Sequence, residues 1–305
     1  MNTRNLRFHS NRVHDILALF HEELDGMYGS GEVSVFCEML FEAFLGWDKI
    51  MFLLSKNQTV DQSDLLRFHW ALEDLKRQRP IQHIIGYTDF CGYRIEVSPD
   101  VLIPRPETEE MVEGIISIFT SHHSSLIIHH SSLTLLDLCT GSGCIAIALK
   151  KAFPQAEVTA VDISEKALSV ARRNAENNNT EINFLQADLL DLTHHSSLIT
   201  HHSSLPFHLI VSNPPYVRDS ERLQMQRNVL DYDPALALFV PDDDPLRFYR
   251  AIADMAKKHL AKDGLLAVEI NEALAEEVCT LFREQNLSPC IHIDFRGKAR
   301  WVTAS

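Results

Sequence analysis

The residues that most directly specify chemistry are Asn213-Pro214-Pro215-Tyr216. The Asn213 side-chain oxygen is a hydrogen-bond acceptor. The Pro214 carbonyl is a second, with no Pro215 N–H to compete for the same space, and Tyr216 offers a flat face. Two acceptors beside a flat ring can hold a planar –NH2 group by both its hydrogens. The plainer alternative is an X-Pro-Pro turn with a buried tyrosine. The four residues follow an apolar run, Phe207 to Val211, that reads as a buried strand. Neither proline can continue a ladder, so the loop stands at a strand's carboxyl end. In open α/β sheets that edge is where ligands bind.

Three further candidate groups sit at expected strand ends upstream. Asp137-Leu138-Cys139-Thr140-Gly141-Ser142-Gly143 ends one apolar run and opens a helical one, and Gly141 and Gly143 let backbone pass close to a ligand. Asp162 follows Gly143 by 19 residues, the spacing at which an acid on the next strand reaches ribose hydroxyls. Gln186-Ala187-Asp188-Leu189 ends the third run, where a carboxylate can accept from an exocyclic amine. Each acid alone reads equally well as a helix cap or a solvated charge. Together they outline an adenosine-containing ligand. S-adenosylmethionine fits better than NAD: the glycines are too few for G-x-G-x-x-G, and a sulfonium ligand has no pyrophosphate to cradle. Asp137 is expected to meet the cationic methionine end.

Strands must alternate with helices to place these groups on one edge. Strands are predicted at 134–138, 157–163, 182–187, 207–211 and 265–270, and helices at 144–152, 164–177, 246–260 and 274–284. That alternation predicts βαβ units and a mostly parallel sheet. The tail, 290–303 around Arg296-Gly297-Lys298, reads as an antiparallel hairpin. Residues 1–80 read as a helical bundle. Phe36, Met39, Leu40, Ala43 and Phe44 share one face ending near Gly46, and Leu65, Phe68, Leu72 and Leu75 share another, started by Asp61 or Asp64 and ended by Pro80. Residues 81–109 read as a β-hairpin linker. Arg105 is held stiff between Pro104 and Pro106, and Thr108 or Glu107 is expected to cap the next helix.

The chain has 305 residues, 45% of them hydrophobic, and a net charge of −14, which argues against a surface built for phosphate backbones. Six cysteines form no C-x-x-C pair and read as reduced thiols. The polar start and the absence of an 18-residue apolar run predict a cytoplasmic protein with no membrane span. His-His-Ser-Ser-Leu occurs at 122–126, 129–133, 194–198 and 201–205. The copies hold eight of the sixteen histidines, so a metal site is conceivable. An inserted repeat tolerated in two surface loops is the simpler reading, and no metal is expected.

The loop Asn213–Tyr216 is similar to the NPPY motif of amino-methyltransferases. Four further segments extend the resemblance over about residues 35–303: Ile103-Pro104-Arg105-Pro106-Glu107-Thr108-Glu109, Pro80-Ile81-Gln82-His83-Ile84-Ile85-Gly86, Asp233-Pro234-Ala235-Leu236-Ala237-Leu238 and Gly264-Leu265-Leu266-Ala267-Val268-Glu269-Ile270. With them the chain resembles the HemK/PrmC family. The resemblance implies a Rossmann-like class I methyltransferase, α/β, with a seven-stranded mostly parallel sheet over 110–305, a helical substrate-binding domain over 1–80 and the hairpin linker over 81–109. It implies methyl transfer from S-adenosylmethionine to the glutamine side-chain nitrogen of the Gly-Gly-Gln motif in class I peptide chain release factors, leaving S-adenosylhomocysteine. Asn213, Pro214 and Tyr216 would then be catalytic. Asp137, Cys139, Thr140, Gly141, Ser142, Gly143, Asp162, Asp188, Leu189 and Asn213 would hold the cofactor, and Pro215 and Arg105 would join Asn213, Pro214 and Tyr216 on the substrate. Release factors would be the partners, with no direct nucleic acid. The chain departs from the family pattern at Cys139, where glycine is usual, at Leu189, where some relatives carry an aromatic, at Asn271, and in the repeats. A DNA adenine-N6 methyltransferase and a non-catalytic nucleotide-binding adaptor remain alternatives. Labelled cofactor with a release factor or with DNA separates them.

Overall fold

Every residue of Thr134–Leu138 is buried, as a strand covered on both faces of a parallel sheet must be. The computed structural model describes residues 8, 10–122, 133–192 and 206–305, and this strand, β3, lies inside its seven-stranded sheet. β1 (Tyr87–Phe90) and β2 (Tyr93–Glu96) form a separate antiparallel hairpin. The sheet adds β4 (Glu157–Asp162), β5 (Asn183–Gln186) and β6 (Phe207–Ser212). β7 (Val217–Arg218) and β8 (Phe239–Val240) pair only with each other, and β9 (Leu260–Glu269), β10 (Pro289–Ile293) and β11 (Ala299–Ala304) complete the sheet. Its order is β10-β11-β9-β6-β3-β4-β5. The β9, β6, β3, β4 and β5 strands run parallel, and β11 and β10 antiparallel. This is the expected Rossmann-like class I methyltransferase sheet.

The chain moves outward from β3 through β4 to β5, then returns to place β6 on the other side of β3. The crevice between β3 and β6 is therefore the topological switch point, where the flanking loops splay apart and leave room for a ligand. One apolar cluster includes Ile115, Phe119, Leu135, Ile145 and Leu149, and a second includes Leu136, Ile210, Tyr249, Ile252 and Phe282. Adjacent residues Leu135 and Leu136 enter different clusters because alternate strand side chains point to opposite faces. Each such buried side chain contributes roughly 1.5–3 kcal/mol of transfer free energy.

The chain divides into two compact units, Met1–Gly86 and Tyr87–Ser305. In the first, helices Val13–Tyr28, Ser30–Leu45 and Gln62–Lys76 bury Phe20, Phe41 and Phe68 in one core. Asp61 precedes the third helix, and Gly46 ends the second in the left-handed conformation. Of the stretch expected as a linker, Ile81–Ile85 is a helix whose Ile81 enters this core, and the hairpin belongs to the second unit. Ile81, Ile84 and Ile85 have helical spacing, so burying them in the first core favours a helix. Among the described residues no helix is long and apolar enough to cross a membrane.

Candidate functional site

Strand register brings the predicted groups together. Leu138 pairs with Ser212 and with Val161, and Asp162 with Gln186. Cys139 and Asn213 therefore each stand one residue past a paired position, on the same edge as Asp162 and Ala187. The Ser212 hydroxyl donates to the Leu138 carbonyl at 2.7 Å and fastens β6 to β3 where the two loops diverge. Along this edge lies a cavity of about 330 Å³, within the range of roughly 300–1,000 Å³ usual for small-molecule sites. Its lining includes Arg105, Cys139, Thr140, Gly141, Ser142, Asp162, Asp188, Leu189, Asn213 and Pro215 of the predicted set. Asp137, Gly143, Pro214 and Tyr216 do not line it.

Asp137 is a correction. It is fully buried, and its Oδ2 accepts the Thr140 hydroxyl at 2.5 Å and the Ala146 N–H at 3.2 Å. It holds the loop and the first turn of helix Cys144–Ala152 together and does not line the cavity. Burial pushes its carboxyl up to about 7, against the hydrogen bonds from Thr140 and Ala146. Asp162 faces the cavity while two backbone groups orient it: Gly141 N–H reaches Oδ2 at 2.9 Å and Ser164 N–H reaches Oδ1 at 2.8 Å. Its carboxyl is raised by burial, which the backbone donors oppose. Asp188 Oδ1 accepts from Leu190 N–H at 2.9 Å and turns the chain under the cavity's third acid. Asn174 was missed by sequence reading. It is buried, donates to the carbonyls of Ser142 at 2.9 Å and Glu96 at 3.0 Å, and accepts from Glu96 N–H at 2.7 Å, so it ties the glycine loop to the hairpin.

Asn213 Nδ2 donates to Thr108 Oγ1 at 3.1 Å. The Thr108 hydroxyl donates to Glu269 Oε2 at 2.6 Å, and the Tyr216 hydroxyl to Glu269 Oε1 at 2.8 Å. Tyr216 is thus anchored by its hydroxyl to a buried carboxylate and does not line the cavity as a stacking face. Burial first, then the Glu269 charge and hydrogen bond, hold its phenol well above the ordinary range, so it remains a donor. Burial raises the Glu269 carboxyl, opposed by the Thr108 and Tyr216 hydroxyls. Thr108 does not cap its helix. The helix begins at Pro106, whose missing N–H costs nothing in a first turn, and the threonine faces Glu269. The helix reaches the sheet because Gly114 has no side chain: a Cβ there would stand 2.6 Å from the Trp301 ring, and Trp301 pairs with Glu269 across β11 and β9. In the sequence Thr108 and Glu269 carry no sign of this contact beyond their places in matched segments.

Arg105 Nη2 meets Asp233 Oδ2 at 2.5 Å. The Asp233 side chain is 1% exposed and that of Arg105 is 35% exposed. The pair joins the segment before helix Pro106–His122 to the short helix Ala235–Leu238 and its preceding proline, of which Pro234, Leu236 and Ala237 line the cavity. The charged lining is Asp100, Asp162 and Asp188 against Arg105 and Arg247. With Arg105 already paired, the cavity suits an uncharged or cationic ligand better than a phosphorylated one. Among the described residues no three histidine, cysteine or acidic side chains gather as a metal site. The His-Ser copies lie outside the described residues, apart from the backbone of His122 and the residue Leu133.

The chain also resembles known proteins. The family signature described as PrmC N-terminal domain matches residues 21–86, and that described as Methyltransferase small domain matches residues 124–232. The chain is 40% identical over 284 residues to the release factor glutamine methyltransferase of Flavobacterium psychrophilum, covering 93% of this chain and 95% of the relative. It is 37% identical over 292 residues to that of Bacteroides thetaiotaomicron, covering 95% and 99%. Among solved structures, the hMettl16 catalytic domain in complex with MAT2A 3'UTR hairpin 6 shares the fold with a TM-score of 0.51 at 14% identity, over 80% of this chain and 82% of that one.

Proposed function

The chain belongs to the release factor glutamine methyltransferase family, and from that premise we propose that its carboxyl-edge cavity holds S-adenosylmethionine and methylates the Gly-Gly-Gln glutamine of class I peptide chain release factors in the cytoplasm. The residues present fit the cofactor. The loop Cys139–Ser142 brings backbone to the cavity wall with positive φ at Cys139 and Gly141, so no bulky side chain needs to intervene. Asp162 has lone pairs left for ribose hydroxyls, and Asp188 with Leu189 frames an adenine-sized edge. When bound, the cofactor supplies an electrophilic methyl group on a positively charged sulfur.

The observation that carries this reading is the position of Asn213. It lines the same cavity as Cys139, Gly141 and Asp162, with its Nδ2 already committed to Thr108. Its Oδ1 is therefore the edge left to accept from a substrate amide, and the Pro214 carbonyl, although Pro214 does not line the cavity itself, is the second acceptor in this reading. An amide nitrogen is a poor nucleophile because its lone pair is delocalised into the carbonyl. Two acceptors on its hydrogens favour the pyramidal nitrogen, aim its lone pair and stabilise the positive charge that develops there. No strong base is required beforehand, since the proton becomes acidic only as the new bond forms. Tyr216 keeps the loop in place through Glu269.

The direct experiment is mass spectrometry of a class I release factor with and without the protein and cofactor. A gain of about 14 Da, one CH2, on the glutamine of the Gly-Gly-Gln peptide supports the proposal, and no gain there removes it. Asn213→Ala should bind cofactor normally and lose roughly 10²–10³-fold in kcat, the scale for removing one pre-organised polar group. A near-normal kcat would take Asn213 out of this role.

A further inference from the structure

We propose that Thr108 and Glu269 are positioning residues that fix which edge of the Asn213 amide faces the cavity. The argument is one of donor direction and rests on the function proposed above. In its ionised form, above its raised titration range, the Glu269 carboxylate only accepts. Both Glu269 oxygens take a hydroxyl proton, Oε2 from Thr108 at 2.6 Å and Oε1 from Tyr216 at 2.8 Å. A threonine hydroxyl has one proton. Once it is given to Glu269, the Thr108 oxygen can offer Asn213 only lone pairs. Asn213 must then present Nδ2, as it does at 3.1 Å, and Oδ1 is left for the substrate.

Without this relay the two edges of the asparagine amide differ little in shape. A flipped amide would present a donor to a substrate nitrogen that needs an acceptor. The relay is buried: Thr108 and Glu269 are each 2% exposed, with Thr108 in the cavity wall and Glu269 behind it. It is also held at both ends. The Tyr249 hydroxyl donates to the Glu269 carbonyl at 3.2 Å, and Asn271 Nδ2 donates to the Tyr216 carbonyl at 3.2 Å. Neither Thr108 nor Glu269 needs to touch the reacting atoms to act.

Thr108→Val keeps the shape and removes the hydroxyl, and Thr108→Ser restores it. The expected result is a fall in kcat of about 10–100-fold for Thr108→Val, with the cofactor Kd and the KM for a release factor within about threefold. Thr108→Ser should recover most of the loss. Glu269→Gln should lower kcat without changing cofactor affinity, because a glutamine amide can donate to Thr108 and reverse the relay. In an Asn213→Ala background Thr108→Val should cost nothing further, since the residue it orients is gone. A readout independent of turnover is the Asn213 side-chain NH2 signal in the nitrogen-15-labelled chain, assigned by its loss in Asn213→Ala. Its hydrogens should exchange slowly in the parent and at least tenfold faster in Thr108→Val. Equal kcat in Thr108→Val and parent would overturn the proposal, as would an unchanged exchange rate or an undiminished Thr108→Val effect in the Asn213→Ala background. If the parent methylates no release factor but the exchange result holds, the positioning role stands and the substrate assignment falls.

Discussion

Gly141 and Gly143 both hold left-handed backbone, at φ +56° and +80°, but their surroundings differ. A methyl on Gly141 would meet nothing within 4 Å among the described residues, because that space is the cavity the residue lines. A methyl on Gly143 would stand 3.0 Å from Ala171 Cβ, where the helix Glu165–Asn177 presses on the loop. Gly141→Ala should therefore cost about 1 kcal/mol of stability, the left-handed penalty alone, and weaken cofactor binding at least tenfold. Gly143→Ala should cost more, roughly 2–3 kcal/mol, and leave the affinity of the folded protein nearly unchanged. Urea unfolding with equilibrium dialysis tests both. The reverse ranking would mean that the two glycines have been assigned to the wrong surfaces. Cys139 shares the left-handed geometry at φ +61°, which explains why glycine is the usual residue there. Burial pushes its thiol up, so it sits in the loop as a protonated, apolar side chain.

At the scale of elements, one ion pair ties the segment after β6 to the chain before helix Pro106–His122. Between β6 and helix Arg247–His259 the chain forms only short pieces, β7, a 3-10 turn at Asp219–Gln224, helices Arg227–Tyr232 and Ala235–Leu238, and β8. None of them is long enough to be stable by itself. Arg105 fastens this segment through Asp233, whose carboxyl is raised by burial and lowered by the Arg105 charge. Removing one partner of a buried pair costs roughly 3–5 kcal/mol, and the solvent at the Arg105 end brings this towards the lower figure. Arg105→Ala should lower Tm and loosen the 233–239 segment. Adding Asp233→Asn should recover part of the Tm, because no charge is then stranded. Limited proteolysis would show the loosening directly. A double variant no more stable than Arg105→Ala would argue that lost packing, not a stranded charge, dominates.

For the whole molecule, the buried carboxylates set a pH dependence. Asp137, Asp162, Asp233 and Glu269 are all raised by burial. A carboxyl raised in the folded state binds a proton that the unfolded chain has already lost, so stability falls as pH rises through the window between the two values. For Asp137 that window runs from its ordinary 3.8 to about 7, and the loss across it is on the order of a few kcal/mol. Asp294, held low first by its hydrogen bond from Arg300, acts oppositely, its contribution being lost as pH falls below the ordinary carboxylate range. Asp137→Asn should flatten the decline between pH 5 and 7.5 relative to the parent in chemical denaturation. Parallel curves would show that Asp137 is ionised throughout.

The sequence by itself determined the strands whose ends carry the site, because those signals are local. A run such as Thr134–Leu138 is apolar throughout since both faces are covered, and paired prolines end β6 wherever it lies. The helix end at Gly46, in the left-handed conformation, follows from the same kind of local chemistry. Three successive strand ends with acidic or polar groups outline an adenosine ligand in the sequence alone. Tertiary structure alone decided which groups line the cavity. Asp137 and Asp162 look alike in sequence, yet one is sealed under the loop and the other lines the cavity. Thr108 lies 161 residues from Glu269 and 105 from Asn213, and Arg105 lies 128 from Asp233. No local period encodes such distances. They are set when the parallel strands align in register and Gly114 lets a helix close on Trp301, so the orientation of Asn213 exists only once the sheet is assembled.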